Sequence, residues 1–240
     1  MRAAIAAEWV KFRSYPLCLI SCSVTVCLPF ALSLLLARVQ SDTKLTDQAA
    51  MYCCLRGMQL GQIGIVVVCA AISGQEFHGS SMRTAFLAVP RRTKLLCAKL
   101  CLSAMVSGVV CLVSGSLGYI ALVTIYHISI SQRILTHAIV LQMGACVSWI
   151  LVGCIALCLS IVARSLLVSI AVLGVLIAGA SQLLLMLTSI AKYLPDMATM
   201  RVFTDDPTFL SPAAGFTVQL VWAIVMGGGA RSAYFKYDIR

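Results

Sequence analysis

The 240-residue sequence is short of charge: 11% of its residues are Asp, Glu, Lys or Arg, and only 8 are acidic. A soluble domain carries roughly 25% charged residues, so there is too little polar side chain here to clothe a core in water. Catalytic signatures are missing as well. The sequence has no G-x-x-x-x-G-K-[ST] loop to cradle ATP phosphates, no HExxH pair, no Ser-His-Asp spacing and no paired carboxylates within an apolar run. Its 3 histidines, His78, His127 and His137, accompany no CxxC, CxxCH or zinc-type spacing. These absences exclude a P-loop ATPase, an intramembrane protease and a haem or zinc protein. They predict no metal site and no cofactor held by the chain itself.

What is present is apolar length. Hydrophobic residues make up 61% of the chain, and a helix needs about 20 of them in succession to cross the hydrocarbon of a bilayer. Stretches 17–37, 58–74, 102–126, 135–163, 166–191 and 213–229 qualify, and none contains Asp, Glu, Lys or Arg. A barrel would alternate over about ten residues, whereas these runs are unbroken. The expected fold is an all-α integral membrane protein with six transmembrane helices, a single transmembrane domain over 1–240. The Leu19-Ile20-Ser21-Cys22 stretch looks like a lipoprotein cleavage box, but too few apolar residues precede it for a signal segment. The first span is therefore expected to be a retained helix.

Lys and Arg set the orientation. Twelve of them (Arg2, Lys11, Arg13, Arg83, Arg91, Arg92, Lys94, Lys99, Arg164, Arg231, Lys236 and Arg240) lie inside if the N-terminus is cytoplasmic, against six outside. The positive-inside rule thus places both termini in the cytoplasm. The net charge of +10 is a topology signal that also suits an anionic inner leaflet, and no nucleic-acid partner is expected. Most of the 12 cysteines fall inside apolar runs, where they act as small apolar residues. Cys53-Cys54 is expected in the first external loop.

Ala163-Arg164-Ser165 leaves room only for a tight hairpin between the fourth and fifth spans. Gly57, Gly61 and Gly64 recur at i, i+4 and i+7, a small-residue face serving either packing within the chain or a dimer seam. The external segment 192–212, with three prolines and three aspartates, reads as an ordered cap or lid. Gln59, Gln62, Gln142 and Gln182 are among the deepest polar groups; they can bind a polar group of a substrate or join helices, and joining helices is the commoner role. With no ionisable group in any span, an ion-driven carrier is disfavoured.

Two segments predicted to be cytoplasmic carry more pattern. In residues 1–15, Ile5, Trp9 and Phe12 form one apolar face with Glu8, Lys11 and Arg13 turned elsewhere, and Pro16 ends the segment. It is either an interfacial amphipathic helix or an ordinary juxtamembrane anchor. In residues 76–94, Ser80 or Ser81 can cap a short helix, Met82, Phe86 and Val89 share a face, and Pro90 stops it. That suits a docking elbow, or a simple tether.

Together these segments resemble the type-2 ABC transporter permeases, the membrane subunits of exporters. That family begins with a Glu-x-x-Lys-x-x-Arg-Ser helix, beside which stands Glu8-Trp9-Val10-Lys11-Phe12-Arg13-Ser14. After its second span the family has an acidic-aromatic pair, Gly-Thr-Ile-Arg, Pro-x-Arg and a Lys opening the third span. Here Glu76-Phe77, Ser80-Ser81-Met82-Arg83, Pro90-Arg91-Arg92 and Lys99 follow in that order, with Gly79 one place early. The resemblance implies a permease subunit of an ATP-driven exporter in the cytoplasmic (inner) membrane, multi-pass and embedded in the lipid bilayer. It would work as a homo- or heterodimer with separate ABC ATPase subunits that bind ATP and Mg. Glu76, Phe77, Gly79, Ser80, Ser81, Met82, Arg83 and Thr84 would form the ATPase-coupling elbow, and Glu8, Trp9, Lys11, Phe12 and Arg13 the interfacial helix beside it. The other readings are a non-transporting immunity or sensor-associated membrane protein, and an ion-coupled secondary carrier. The uncharged spans point to an amphipathic or hydrophobic cargo.

Overall fold

The computed structural model describes residues 2–40, 46–74, 92–129, 131–204 and 206–236. Helix α1 runs Arg2–Ser14, α2 Pro16–Gln40, α3 Asp47–Gly74, α4 Arg92–Ile125 and α5 Gln132–Ala163. The fifth span is built from α6 Leu166–Val175, a π-helical turn Leu176–Ala180 and α7 Ser181–Leu187. After a 3₁₀ turn Ser189–Tyr193 and the short α8 Met200–Thr204, α9 closes the fold over Pro212–Phe235. Among the described residues there is no strand, and 6 helices are long and apolar enough to cross a membrane.

Several elements extend beyond the apolar runs. The second span was expected over 58–74, but its helix starts at Asp47, so Cys53 and Cys54 are buried helical residues and not part of a loop. Asp47 explains the earlier start: its carboxylate accepts from the Tyr119 hydroxyl at 2.8 Å and the Ser131 backbone N–H at 2.9 Å, tying the head of α3 to the ends of its neighbours. The third helix likewise starts at Arg92, which places Lys99 inside it.

Helix α3 forms the centre of the bundle and packs on α2, α4, α5 and α6. Its glycine face lies against α2. A Cβ at Gly57 would sit 2.7 Å from the Pro29 carbonyl oxygen, one at Gly61 would enter the Pro29 ring, and one at Gly64 would enter Thr25. The stripe therefore works within the chain, where removing side chains lets backbones approach without a hydrophobic driving force. Trp149 of α5 is fully buried against the other side of Gly61. Ser73 and Ser160 make a short hydroxyl contact between α3 and α5, and Ser73 also donates to the Leu157 carbonyl at 3.3 Å.

The turn between α5 and α6 is made by Arg164 in the left-handed region at φ 52°, with Ser165 N–H donating to Ser160 O at 3.2 Å. This closes the orphan carbonyls of α5 in the manner of a left-handed helix cap. The outer faces of α2, α4, α6, α7 and α9 are lined with exposed Leu, Val and Ile, as expected where lipid is the solvent.

Candidate functional site

Helix α1 and the helix ends that flank the second motif-bearing segment lie at one end of the bundle. Residues 75–91 join Gly74 of α3 to Arg92 of α4, and α1 packs on α4 and the start of α2 at that same end. The elbow residues Glu76, Phe77, Gly79, Ser80, Ser81, Met82, Arg83 and Thr84 lie outside the described residues. The helices from which they spring lie within them.

On α1 the side facing the bundle carries Glu8 and Phe12, which expose 2% and 6% of their surface, while Trp9 is 47% exposed. Glu8 was expected to turn away with Lys11 and Arg13, so this is a correction. The reason is a counter-charge from elsewhere in the chain. Lys99 of α4, with no exposed surface, places Nζ 2.8 Å from Glu8 Oε2 and also donates to the Ile72 carbonyl at 3.1 Å. Lys11 takes the other carboxylate oxygen at 2.7 Å. Burial by itself pushes the Glu8 carboxyl up, but Lys99 and Lys11 outweigh it and hold the group below the ordinary carboxylate range. Phe12 fills the next turn, stacked on Trp9 with ring centroids 5.7 Å apart, and Arg13 points outward.

A second polar cluster lies inside the bundle. Ser148 of α5 is 2.8 Å from Thr199 Oγ1, and Gln62 of α3 donates to Ser148 at 3.3 Å. Gln219 of α9 donates to the Pro195 carbonyl at 2.7 Å, with Ser148 and Thr199 hydroxyls each 3.1 Å from the same nitrogen. These bonds hold the connection between the fifth and sixth spans within the fold: Met197, Ala198, Thr199, Val202 and Phe203 are all buried. The 192–212 segment thus contributes an inserted core piece as well as surface. Asp196, 9% exposed, accepts from Ser181 at 2.9 Å. Burial pushes its carboxyl up, against hydrogen bonds from Ser181 and from backbone N–H groups that favour the charged form.

Of the glutamines expected to join helices, Gln62 and Gln142 do so, Gln142 donating to the Cys111 carbonyl at 3.0 Å, whereas Gln182 is exposed on α7. Ser148 and Gln219 lie within the 135–163 and 213–229 runs and Thr199 outside any run, and nothing but their polarity marked these three in the sequence. At the end opposite α1, a cavity of about 310 Å³ opens between α3, α4 and α5, lined by Leu55, Leu112, Tyr119, Ile139, Gln142 and Met143 among others. Among the described residues no three His, Cys, Asp or Glu side chains gather as a metal set.

No curated protein and no solved structure matches this chain. The family model described as "ABC-2 family transporter protein" matches residues 4–181, a stretch running from α1 to the start of α7. The chain therefore belongs to the ABC-2 transporter family: it is a multi-pass membrane component of an ABC-type transporter, a permease and not itself an enzyme, and its family implies an ABC ATPase partner.

Proposed function

We propose that this permease is one half of an ATP-driven export pathway in the cytoplasmic membrane, with both termini in the cytoplasm and two separate ATPase subunits supplying the energy. One observation carries this reading. Helix α1 and the two helix ends that flank residues 75–91, far apart in sequence, lie at a single end of the bundle, where Glu8 of α1 contacts Lys99 of α4. In that arrangement Glu76 to Thr84 docks on the ATPase, and α1 lies beside it at the membrane surface with Trp9 and Arg13 outward.

A second copy, or a related permease, completes the pathway. Supporting this, the outward face of the fifth span carries exposed Leu167, Val172, Val175, Leu183 and Met186, and a Cβ placed at Gly174 or Gly179 would meet nothing within 4 Å beyond its own stretch of helix backbone and its chain neighbours. Gln182 sits on the same span with its side chain exposed, a polar group that a partner helix would satisfy. The cargo is an amphipathic or hydrophobic molecule.

Extraction in mild detergent is expected to retain an ABC ATPase on the tagged permease. Charge reversal at Glu76 or Arg83 is expected to abolish ATP-dependent transport in inverted vesicles while membrane insertion stays intact. Repeated purification without an ATPase would favour the immunity or sensor-associated reading. Transport that survives ATP depletion but collapses with the ion gradient would favour a secondary carrier.

A further inference from the structure

The Glu8–Lys99 pair is costly for a contact that only fills space. Removing two opposite charges from water carries a desolvation penalty that their attraction barely repays, and apolar residues of similar volume often hold a core equally well. What a charged pair adds is direction, and here the direction is informative. Lys99 Nζ joins three elements at once: it sits on α4, binds the Glu8 carboxylate of α1 at 2.8 Å, and donates to the Ile72 carbonyl in the last turn of α3 at 3.1 Å. The carbonyls of a helix's last turn lack partners along the helix and carry partial negative charge, so a cation there is favourable. Lys11 occupies the second Glu8 oxygen, which keeps the carboxylate from turning away. Helix α1 packs mainly on α4, and this ammonium also relates it to the end of α3.

We propose that Lys99 and Glu8 are positioning residues, a clamp that makes the N-terminal helix move as one body with the two helix ends from which the 75–91 connection springs. The proposal rests on the ATP-driven reading above. When the ATPase pulls on that connection, α3 and α4 shift at Ile72 and Lys99, and the clamp carries the displacement to α1. Neither residue touches cargo or nucleotide.

Hydrogen–deuterium exchange of the permease–ATPase complex, with and without ATP plus vanadate, tests this without a known cargo. In the wild type, trapping is expected to change exchange in both 2–14 and 92–105. The double variant Glu8→Gln/Lys99→Met removes both charges together, so neither is left buried alone, and it also deletes the donor to Ile72. It is expected to keep the change in 92–105 while that in 2–14 is lost. Glu8→Gln/Lys99→Gln, which retains an amide donor, is expected to recover most of the response. An undiminished response of 2–14 in the Met variant overturns the clamp, as does the absence of recovery in the Gln variant. Free exchange of 2–14 in the Met variant before nucleotide is added overturns it too, because the pair would then only dock the helix. A wild-type complex with no ATP-dependent change in any segment sinks the export reading itself. A responsive wild type with an equally responsive Met variant sinks the clamp alone.

Discussion

The carboxamide of Gln219 donates to the backbone carbonyl of Pro195 at 2.7 Å, joining the last span to the connection that precedes it. A carbonyl only accepts, so this bond fixes which end of the amide faces Pro195. The Gln219 oxygen is left buried with no donor among the described residues. The bonds from its nitrogen are what hold the 194–204 stretch among α3, α5 and α9, with Trp222 adding a second tie by donating to the Tyr193 carbonyl at 3.0 Å.

Gln219→Leu keeps the volume and removes these donors. Interhelical polar contacts in membranes are each worth about 1 kcal/mol, so the variant is expected to lose about 1–2 kcal/mol, read as a lower unfolding midpoint in detergent. Protease cleavage between 194 and 211 is expected to quicken in parallel. An unchanged midpoint would show that apolar packing alone retains the segment.

Gly61 lies between the Pro29 ring and the edge of Trp149, with no room for a methyl group. Gly61→Ala is expected to force α3 away from α2 at a cost of about 1–3 kcal/mol. Adding Pro29→Ala opens the space and is expected to restore part of the midpoint. If the double variant is no better than the single one, the close approach is not the cause.

Asp196 is the clearest pH case. Its folded-state carboxyl is raised by burial, so the charged form destabilises the fold at neutral pH, and that penalty is relieved as pH falls through the raised value. Asp196→Asn keeps an acceptor for Ser181 without the charge. It is expected to raise the midpoint at pH 7, with the gap from wild type closing as pH is lowered toward about 4. A lower midpoint at pH 7 would mean that a cation compensates the carboxylate in the membrane.

Glu8 has the opposite sign. Its folded carboxyl is held low, so its contribution is complete at and above the unfolded value and is lost as pH falls through the folded one. The environment of Trp9 on α1, followed by its fluorescence in a variant whose other two tryptophans are replaced by Phe, is expected to stay constant from pH 7 to about 5 and to shift below about 4 as the ion pair is lost, with the helix still in place. Glu8→Gln is expected to remove that acid transition. An α1 that detaches near pH 6 would contradict the ion-pair assignment.

The spans were legible because lipid imposes a one-dimensional rule: about 20 apolar residues in a row, whatever surrounds them. The turn at Arg164 was legible for a similar reason, since three residues between two such runs allow only a hairpin. Helix ends and polar contacts follow a different logic. The start of α3 at Asp47 depends on Tyr119 and Ser131, and the inward turn of Glu8 depends on Lys99. The sequence by itself thus determined that this chain has six runs long and apolar enough to cross a membrane and resembles an exporter permease, because length, apolarity and local motifs are properties of neighbours in the chain. Only the tertiary structure decided which charged and amide groups are buried, and hence that Lys99 binds α1 to the end of α3. Burying such a group is tolerable only beside a partner, and Lys99, Tyr119 and Ser131 lie tens of residues from the carboxylates they meet.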